Sequence, residues 1–445
     1  MESKQRKHAE SGQVLVFLSL VFIGLLGFTA LAVDGGMIFH DRRSSQNAAD
    51  AAALAGGWKV ANALEDADLG LNINYNNWDC ASSELQTAQS LGITQAIQIA
   101  DLNQRPISDT IANLNGVTTF CMEEDKGSYI DKYVDVEVWV TSQVRTAFVH
   151  FAFNGPVNNT VKAVSRVRPR MPLAFGYAVY AHRDSCPNSN VGGVQFLGGG
   201  NGSVTITGGG IMSDACLEAN SAAVNVTVNN GNIYSVEAPN VHPQANVSPS
   251  PAQVSNPLPQ WSLLFTEPDC SGLPNQGSQN GGGTISPGIY SSIQNNNNQT
   301  LELQPGLYCL DGDFRINGGT VIGNGVTIYM RNGDFISNGN ATVKLSAPGI
   351  VVGGNQGTTG MLIYMALDNA GDISLLGSAT SYYRGTIFGA SADSTVEVGG
   401  TGSMLQTYET QLIAGTVKVH GTATIDISFN QSQNYMKPAQ MTLEE

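Results

Sequence analysis

Three aspartates sit where paired carboxylates do chemistry. Asp311 and Asp313 lie two apart in Asp311-Gly312-Asp313-Phe314, and a second Gly-Asp-Phe follows at Gly333-Asp334-Phe335. Residues two apart share one strand face, so stacked strands would bring Asp313 beside Asp334. Two carboxylates held across a glycosidic bond hydrolyse it, and clustered carboxylate oxygens hold Ca²⁺. The plainer reading is a turn element capped by its own carboxylate, with Arg315 and Arg331 as ion-pair partners. That reading is preferred here. The histidines, His8, His40, His150, His182, His242 and His420, do not cluster. No Gly-x-Ser-x-Gly and no phosphate-binding loop is present. The expectation is therefore a non-enzyme with no catalytic, cofactor-binding or metal-ligating residues. Tyr382-Tyr383 and Trp261 offer flat rings on which a surface glycan would stack, but core packing is their expected role.

The six cysteines are Cys80, Cys121, Cys186, Cys216, Cys270 and Cys309. None forms a C-x-x-C, and no histidine follows at finger spacing, which disfavours structural zinc. An even count at wide spacing in an exported chain reads as disulfides, with unpaired buried thiols as the alternative. Sequential pairing is the expected connectivity, because each bridge then stays within one apparent region.

Those residues must be carried by a chain of 445 residues, too long for one ordinary core. Only 13% of residues are charged while Gly reaches 51, a composition of turns and short strands. The 42% apolar content still builds cores. A formal net charge of −15 argues against nucleic acid as a partner, since phosphate binding needs clustered Lys and Arg.

Val14 to Val33 carries no charge. At 1.5 Å per helical residue it covers roughly 30 Å, the thickness of a bilayer core. Val14, Leu20, Gly24, Leu26 and Val33 mark this expected anchor. Lys4, Arg6 and Lys7 precede it, which places the N-terminus in the cytoplasm and the bulk outside, although Arg42 and Arg43 follow soon after. A cleaved signal peptide has a shorter apolar core. A small-residue site exists near Thr29 to Ala32, but the apolar run continues through Gly35-Gly36-Met37-Ile38-Phe39, so a retained anchor is expected. Asp34 at the outer end reads as an interfacial carboxylate in water, with pairing to a partner helix as the alternative. Beyond it, Ala48, Ala49, Ala51, Ala52, Ala53 and Ala55 line up small faces at i, i+4 that admit close neighbours, and Gly56-Gly57 reads as a helix stop.

Gly12-Gln13 before the span, Leu31-Ala32-Val33-Asp34 at its end, and Gln46-Asn47-Ala48-Ala49-Asp50-Ala51-Ala52-Ala53-Leu54-Ala55 together resemble the N-terminal segment of TadG-like proteins of the Flp/Tad pilus machinery. The resemblance implies a bitopic envelope protein that assembles or anchors pili, with pilus and envelope proteins as partners. It departs from a processed type IV pilin: the position five residues after Gly12 is Phe17, where the pilin has Glu.

Residues 58–170 mix helix and strand signals and read as a small α+β domain. Ser83 to Leu102 has helical spacing, with Leu85, Ala88, Leu91, Ala96 and Ile99 on one face. Tyr133 to Val140 and Thr160 to Val167 alternate as half-buried strands, with Thr146 to Phe153 a short aromatic helix between them. Arg166, Arg168 and Arg170 share one strand face. From residue 171 to 440, short Val/Ile strands recur between Gly and Asn: Gly202–Gly208, Ala223–Gly231, Gly319–Gly323, Gly325–Met330, Ala341–Leu345, Thr395–Val398, Gly415–His420 and Thr422–Ser428. Such strands cannot bury an inner face singly, and stacking their coils into a β-solenoid solves the problem. A β-sandwich is the alternative. Asn295 to Asn298 reads as a polar ladder or a loop. A Pro-rich crossing with Pro249, Pro251, Pro257 and Pro259 divides the region into lobes near 172–243 and 260–440. Leu303–Cys309, Gly325–Met330 and Val343–Pro348 resemble the β-helical tails of some pilus-tip and TadG-like proteins. The expected architecture is thus residues 1–57 as cytoplasmic tip, transmembrane helix and Ala-rich segment, 58–170 as α+β domain, and 171–440 as solenoid. The expected function is a membrane-anchored structural protein of pilus assembly; the alternatives are a secreted or surface polysaccharide-active enzyme and a non-catalytic adhesin.

Overall fold

The computed structural model describes residues 11–66, 68–148, 155–187, 192–198, 202–338, 340–349, 357–378, 380–400, 405–421 and 424–444. The chain forms two compact units. The first comprises Met1–Glu123, Lys132–Arg170 and Ala439–Glu445; the second, Glu124–Asp131 and Met171–Pro438.

The spine of the first unit is one helix, α1, Ser11–Glu65. The expected stop at Gly56-Gly57 does not occur. These glycines are instead where neighbours press closest. A Cβ on Gly56 would lie 3.0 Å from the Gly92 carbonyl, and one on Gly57 2.2 Å from Ser165 Oγ. The missing side chains let a helix and a sheet touch the α1 backbone, and regular hydrogen bonding continues through them. Helix α2, Ser83–Leu102, is capped by the Ser82 side chain, which accepts from Leu85 N–H. Its buried face is Leu85, Ala88, Gly92, Ala96 and Ala100, with Leu91 and Ile99 partly buried against the same core and Gly92 meeting Gly56 of α1.

Strands β1 (Gly116–Asp125), β2 (Ile130–Val144) and β3 (Val157–Arg168) form an antiparallel sheet in that order, and Gln440–Glu444 adds a fourth strand beside β3. Val134, Val136, Val138 and Val140 turn inward from β2, joining Ala49, Ala52, Ala53, Val60 and Leu64 of α1 and Leu85, Ala88 and Ala96 of α2 in one core. On the other face, Arg166 forms a bidentate pair with Asp135, both bonds 2.9 Å, and its guanidinium lies 3.7 Å from the Tyr133 ring centroid. Residues 149–153 of the expected aromatic helix lie outside the described residues.

The second unit is a parallel β-solenoid of about ten turns, with coils of about twenty residues. Three parallel sheets enclose an apolar core that includes stacked Tyr290 and Tyr308, Phe314 and Phe335, and Tyr383 and Tyr408. Asn295 is fully buried and donates to the Gly318 carbonyl at 2.9 Å. Outside it runs an amide ladder: Asn296 donates to Asn280 at 3.1 Å, Asn317 to Asn296 at 3.2 Å, and Asn338 to Asn317 at 3.5 Å.

The Pro-rich crossing does not separate two lobes. Winding begins at Val179–Ala181, in the middle of the stack, and proceeds to one end at Asn246–Gln253. The chain then returns along the outside as a strap, residues 254–274, and starts again at the far end with Asn275–Asn280. The second winding comes back until its last coil meets the first. Leu412 pairs with Val179, Val417 with Val194, and Ile425 with Val204. Parallel strand edges left open by each segment satisfy one another, which is the physical reason for a single stack.

The strap covers one of the three sheets. Strands Gly306–Leu310, Val326–Met330 and Met361–Met365 are buried at every residue. Their inward side chains fill the solenoid, while Cys309, Tyr329 and Tyr364 face outward beneath Leu258, Leu263, Phe265, Cys270 and Leu273. Glu267 accepts from the Tyr329 hydroxyl at 2.8 Å and the Tyr364 hydroxyl at 3.0 Å. At the strap's start, Asp214 accepts from Tyr180 Oη at 2.5 Å and Leu258 N–H at 3.0 Å.

Candidate functional site

The richest constellation of polar side chains on α1 lies just beyond its apolar run. Val14, Leu20, Leu26 and Val33 are all exposed, and nothing lies within 4 Å of where a Gly24 Cβ would stand. One helix is thus long and apolar enough to cross a membrane, by length and composition. An exposed aliphatic run of this length is unfavourable in water by about 25 cal/mol per Å² and is at home in hydrocarbon.

At the end of this run the helix is clamped. Asp34 is only 1% exposed. Its carboxylate accepts from Ala147 N–H at 2.6 Å and from Phe148 N–H at 2.9 Å. The solvated interfacial role expected of Asp34 is therefore corrected: it ties the segment after β2 to the helix. Two turns further on, Asp41 is the second tie. It accepts from Arg105 at 2.6 Å, from Asn159 at 3.1 Å and from Ser142 Oγ. Burial pushes the Asp41 carboxyl up, but hydrogen bonds from Ser142 and Asn159 and the Arg105 charge outweigh it and hold the group below the usual carboxylate range. One turn on, fully buried Ser45 bonds Ser142 at 3.1 Å, and Gln46 donates to Asp50 at 2.7 Å and to the Lys162 carbonyl at 3.2 Å. From there the small face takes over, with Ala48, Ala49, Ala52 and Ala53 buried and Gly56 against Gly92.

The geometry does one mechanical thing. A helix whose first half is built for lipid is fixed to a folded unit by one buried and one partly buried carboxylate and a close-packed small-residue seam, with no linker between. Rotation or bending at residues 34–46 would break charge-assisted hydrogen bonds, each worth about 1.5–3 kcal/mol.

The three disulfides join Cys80 to Cys121, Cys186 to Cys216 and Cys270 to Cys309. The first holds the approach to α2 against β1; the second closes the opening coil of the solenoid; the third staples the strap.

The aspartate pair is brought together as the repeat suggested. Phe314 stands opposite Phe335, and Asp313 Oδ1 accepts from Asp334 N–H at 3.0 Å. Asp313 Oδ2 accepts from Arg315 at 2.8 Å, and Asp311 pairs with Arg331 at 2.6 Å. Asp313 thus caps the next coil, and the Asp334 backbone hydrogen bond is the foremost cause holding its carboxyl below the ordinary range. Among the described residues no group of three His, Cys, Asp or Glu side chains is placed to hold a metal ion. Tyr383 is buried in the core, stacked 5.8 Å from Tyr408, and Tyr382 carries Arg384 over its ring. Trp261 lies edge-on to Phe175, with Lys437 over its ring.

Sequence reasoning missed Arg105, Ser142 and Asn159, which lie far along the chain from Asp41. The signal for Asp34 was present, because a lone carboxylate between two apolar runs needs a partner.

Residues 12–62 match the family described as putative Flp pilus-assembly TadE/G-like. The match lies wholly within α1 and covers the apolar run, both clamping aspartates and the small-residue seam. No curated protein matches the chain.

Proposed function

We propose that this protein is a single-pass envelope protein with a structural, non-enzymatic role in a Tad-type pilus assembly system. The N-terminus is cytoplasmic and both folded units are extracytoplasmic. The observation that carries this reading is the continuity of α1: the stretch similar to the pilus-assembly family is at once the apolar span and the clamped spine of the first unit. Three disulfides support an oxidising compartment for the bulk of the chain. Basic residues before the span support the same orientation. The solenoid, with Asp311 and Asp313 engaged in ion pairs and a cap, serves as a rigid displayed body that contacts pilus or envelope proteins.

Fractionation of native cells with N-terminal sequencing and protease shaving tests the anchor, and crosslinked co-purification tests the partners. An uncut N-terminus in the membrane fraction, accessibility from outside beyond Asp41, and recovery of pilus-assembly components are expected. Cleavage near Ala32 with release into the medium, or recovery without any pilus or envelope component, overturns the proposal.

A further inference from the structure

The sequence between Asp34 and Arg43 is formally neutral, two acidic residues against two basic ones, but the structure separates the signs. Asp34 and Asp41 turn into the first unit and are hydrogen-bonded there. Arg42 and Arg43 remain exposed on the same helix. The end of β2 and the residues after it run down the helix from Ser142, which bonds Asp41, to Ala147, which bonds Asp34. Arg145 lies between these two ties and is also exposed. Three exposed arginines from two segments of the chain therefore lie next to the two carboxylate ties, a basic collar at the exit of the helix. Beside them opens a cleft of about 640 Å³ lined by Gln143, Val144, Arg145, Thr146, Gly155 and Pro156. Phe39 on the helix and Phe148 beside Asp34 are exposed, 76% and 46%.

We infer that this collar binds the phosphate groups of anionic phospholipids in the outer leaflet and seats the first unit on the membrane surface. The inference rests on the membrane-anchor reading above and adds a specific lipid class to it. Heights support it. Hydrocarbon ends near Val33, and headgroups occupy roughly the next 5–8 Å on each side. Arg42 and Arg43 stand about 14 Å further along the helix axis, counted at 1.5 Å per residue. Helical side chains lean toward the N-terminus, here toward the bilayer, so long arginine side chains reach back to the phosphate layer. Guanidinium groups suit this target because their planar donors match phosphate oxygens in pairs. Phe148, tied to Asp34 through its N–H, falls at the boundary between acyl chains and headgroups, and Phe39 stands about 9 Å beyond Val33, at the outer edge of the headgroups.

The test uses the full chain in phosphatidylcholine vesicles with trace spin-labelled phosphatidylglycerol or phosphatidylcholine, comparing their occupancy of the motionally restricted shell. Lys4→Gln, Arg6→Gln and Lys7→Gln are present throughout, so the cytoplasmic tip contributes nothing. Phosphatidylglycerol is expected to be enriched about threefold or more at low salt, with the enrichment screened in high salt. Arg42→Gln, Arg43→Gln and Arg145→Gln together should bring the ratio to near unity, and the corresponding triple lysine variant should retain most of it. Equal enrichment in the parent and glutamine proteins, or none in either, overturns the inference and leaves the anchor standing. Absence of any restricted lipid overturns both. Loss of enrichment in the lysine variant as well, with the Cys80–Cys121 disulfide intact, would support paired guanidinium–phosphate contacts over charge alone and keeps the inference.

Discussion

Removing the Asp34 carboxylate is the sharpest perturbation of the clamp. Its oxygens accept from Ala147 N–H at 2.6 Å and from Phe148 N–H at 2.9 Å, and Asp34 is 1% exposed. Hydrogen bonds to a charged acceptor contribute about 1.5–3 kcal/mol each, so Asp34→Ala should make opening of this contact easier by about 3–6 kcal/mol. Asp34→Asn keeps one acceptor oxygen and should lose about half of that. Because each 1.4 kcal/mol is tenfold, amide exchange at Ala147 and Phe148 should accelerate roughly 10–100-fold in the asparagine variant and at least about 100-fold in the alanine variant. The measurement is site-resolved hydrogen exchange on the full chain in nanodiscs. Amides in the middle of β2, such as Val136 and Val138, serve as the internal reference because they belong to the sheet core. Equal exchange at Ala147 and Phe148 in wild type and both variants, to within about twofold, would refute the clamp, since a carboxylate that holds two amides must slow their exchange.

Gly57→Ala should destabilise the first unit by about 1–3 kcal/mol in thermal unfolding, because its Cβ would stand 2.2 Å from Ser165 Oγ and 2.9 Å from Met441 Sδ. Gly35→Ala, with nothing within 4 Å, should be neutral or slightly stabilising through helix propensity. Replacing Cys270 and Cys309 with alanine opens a loop of 39 residues and should cost about 4 kcal/mol, read as faster proteolysis within residues 260–274 and a lower unfolding midpoint. Burial pushes the Asp214 carboxyl up to about 6 despite hydrogen bonds from Tyr180 and Leu258. A raised folded-state value gives stability that is full below the unfolded carboxylate range and lost as pH rises through about 6, about 3 kcal/mol in all. Asp214→Asn should flatten that slope in urea unfolding between pH 4 and 7. Asp41 has the opposite sign: its lowered value contributes at neutral pH and is lost as pH falls through the carboxylate range, so Asp41→Asn should weaken the acid sensitivity of the first unit.

Local patterning settled much of the architecture. The charge-free run from Val14 to Val33 marks the span because length and hydropathy alone decide whether a helix suits hydrocarbon. Alternation in Tyr133–Val140 and in the short Val/Ile strands, punctuated by Gly and Asn, indicates half-buried sheet and stacked coils because pleat periodicity is a property of the chain itself. The repeated Gly-Asp-Phe placed Asp313 beside Asp334 for the same reason: a constant coil length sets the register. In the folded chain Val326–Met330 and Met361–Met365 are buried at every residue, unlike alternating Thr320–Asn324, because their sheet is covered on both sides. The sequence does not say what covers it. Only the tertiary structure shows the strap returning over Tyr329 and Tyr364, and the last coil meeting the first through Leu412 and Val179, because closure depends on which open edges find each other. The same holds at the clamp. Gly56-Gly57 looks like a stop until Gly92 and Ser165 are seen against it, and Asp34 looks solvated until Ala147 and Phe148 reach it. The sequence by itself determined the elements and their apolar faces, which follow from neighbours a few residues apart. The partners of buried carboxylates and glycines lie many residues away, and only the folded chain decided them.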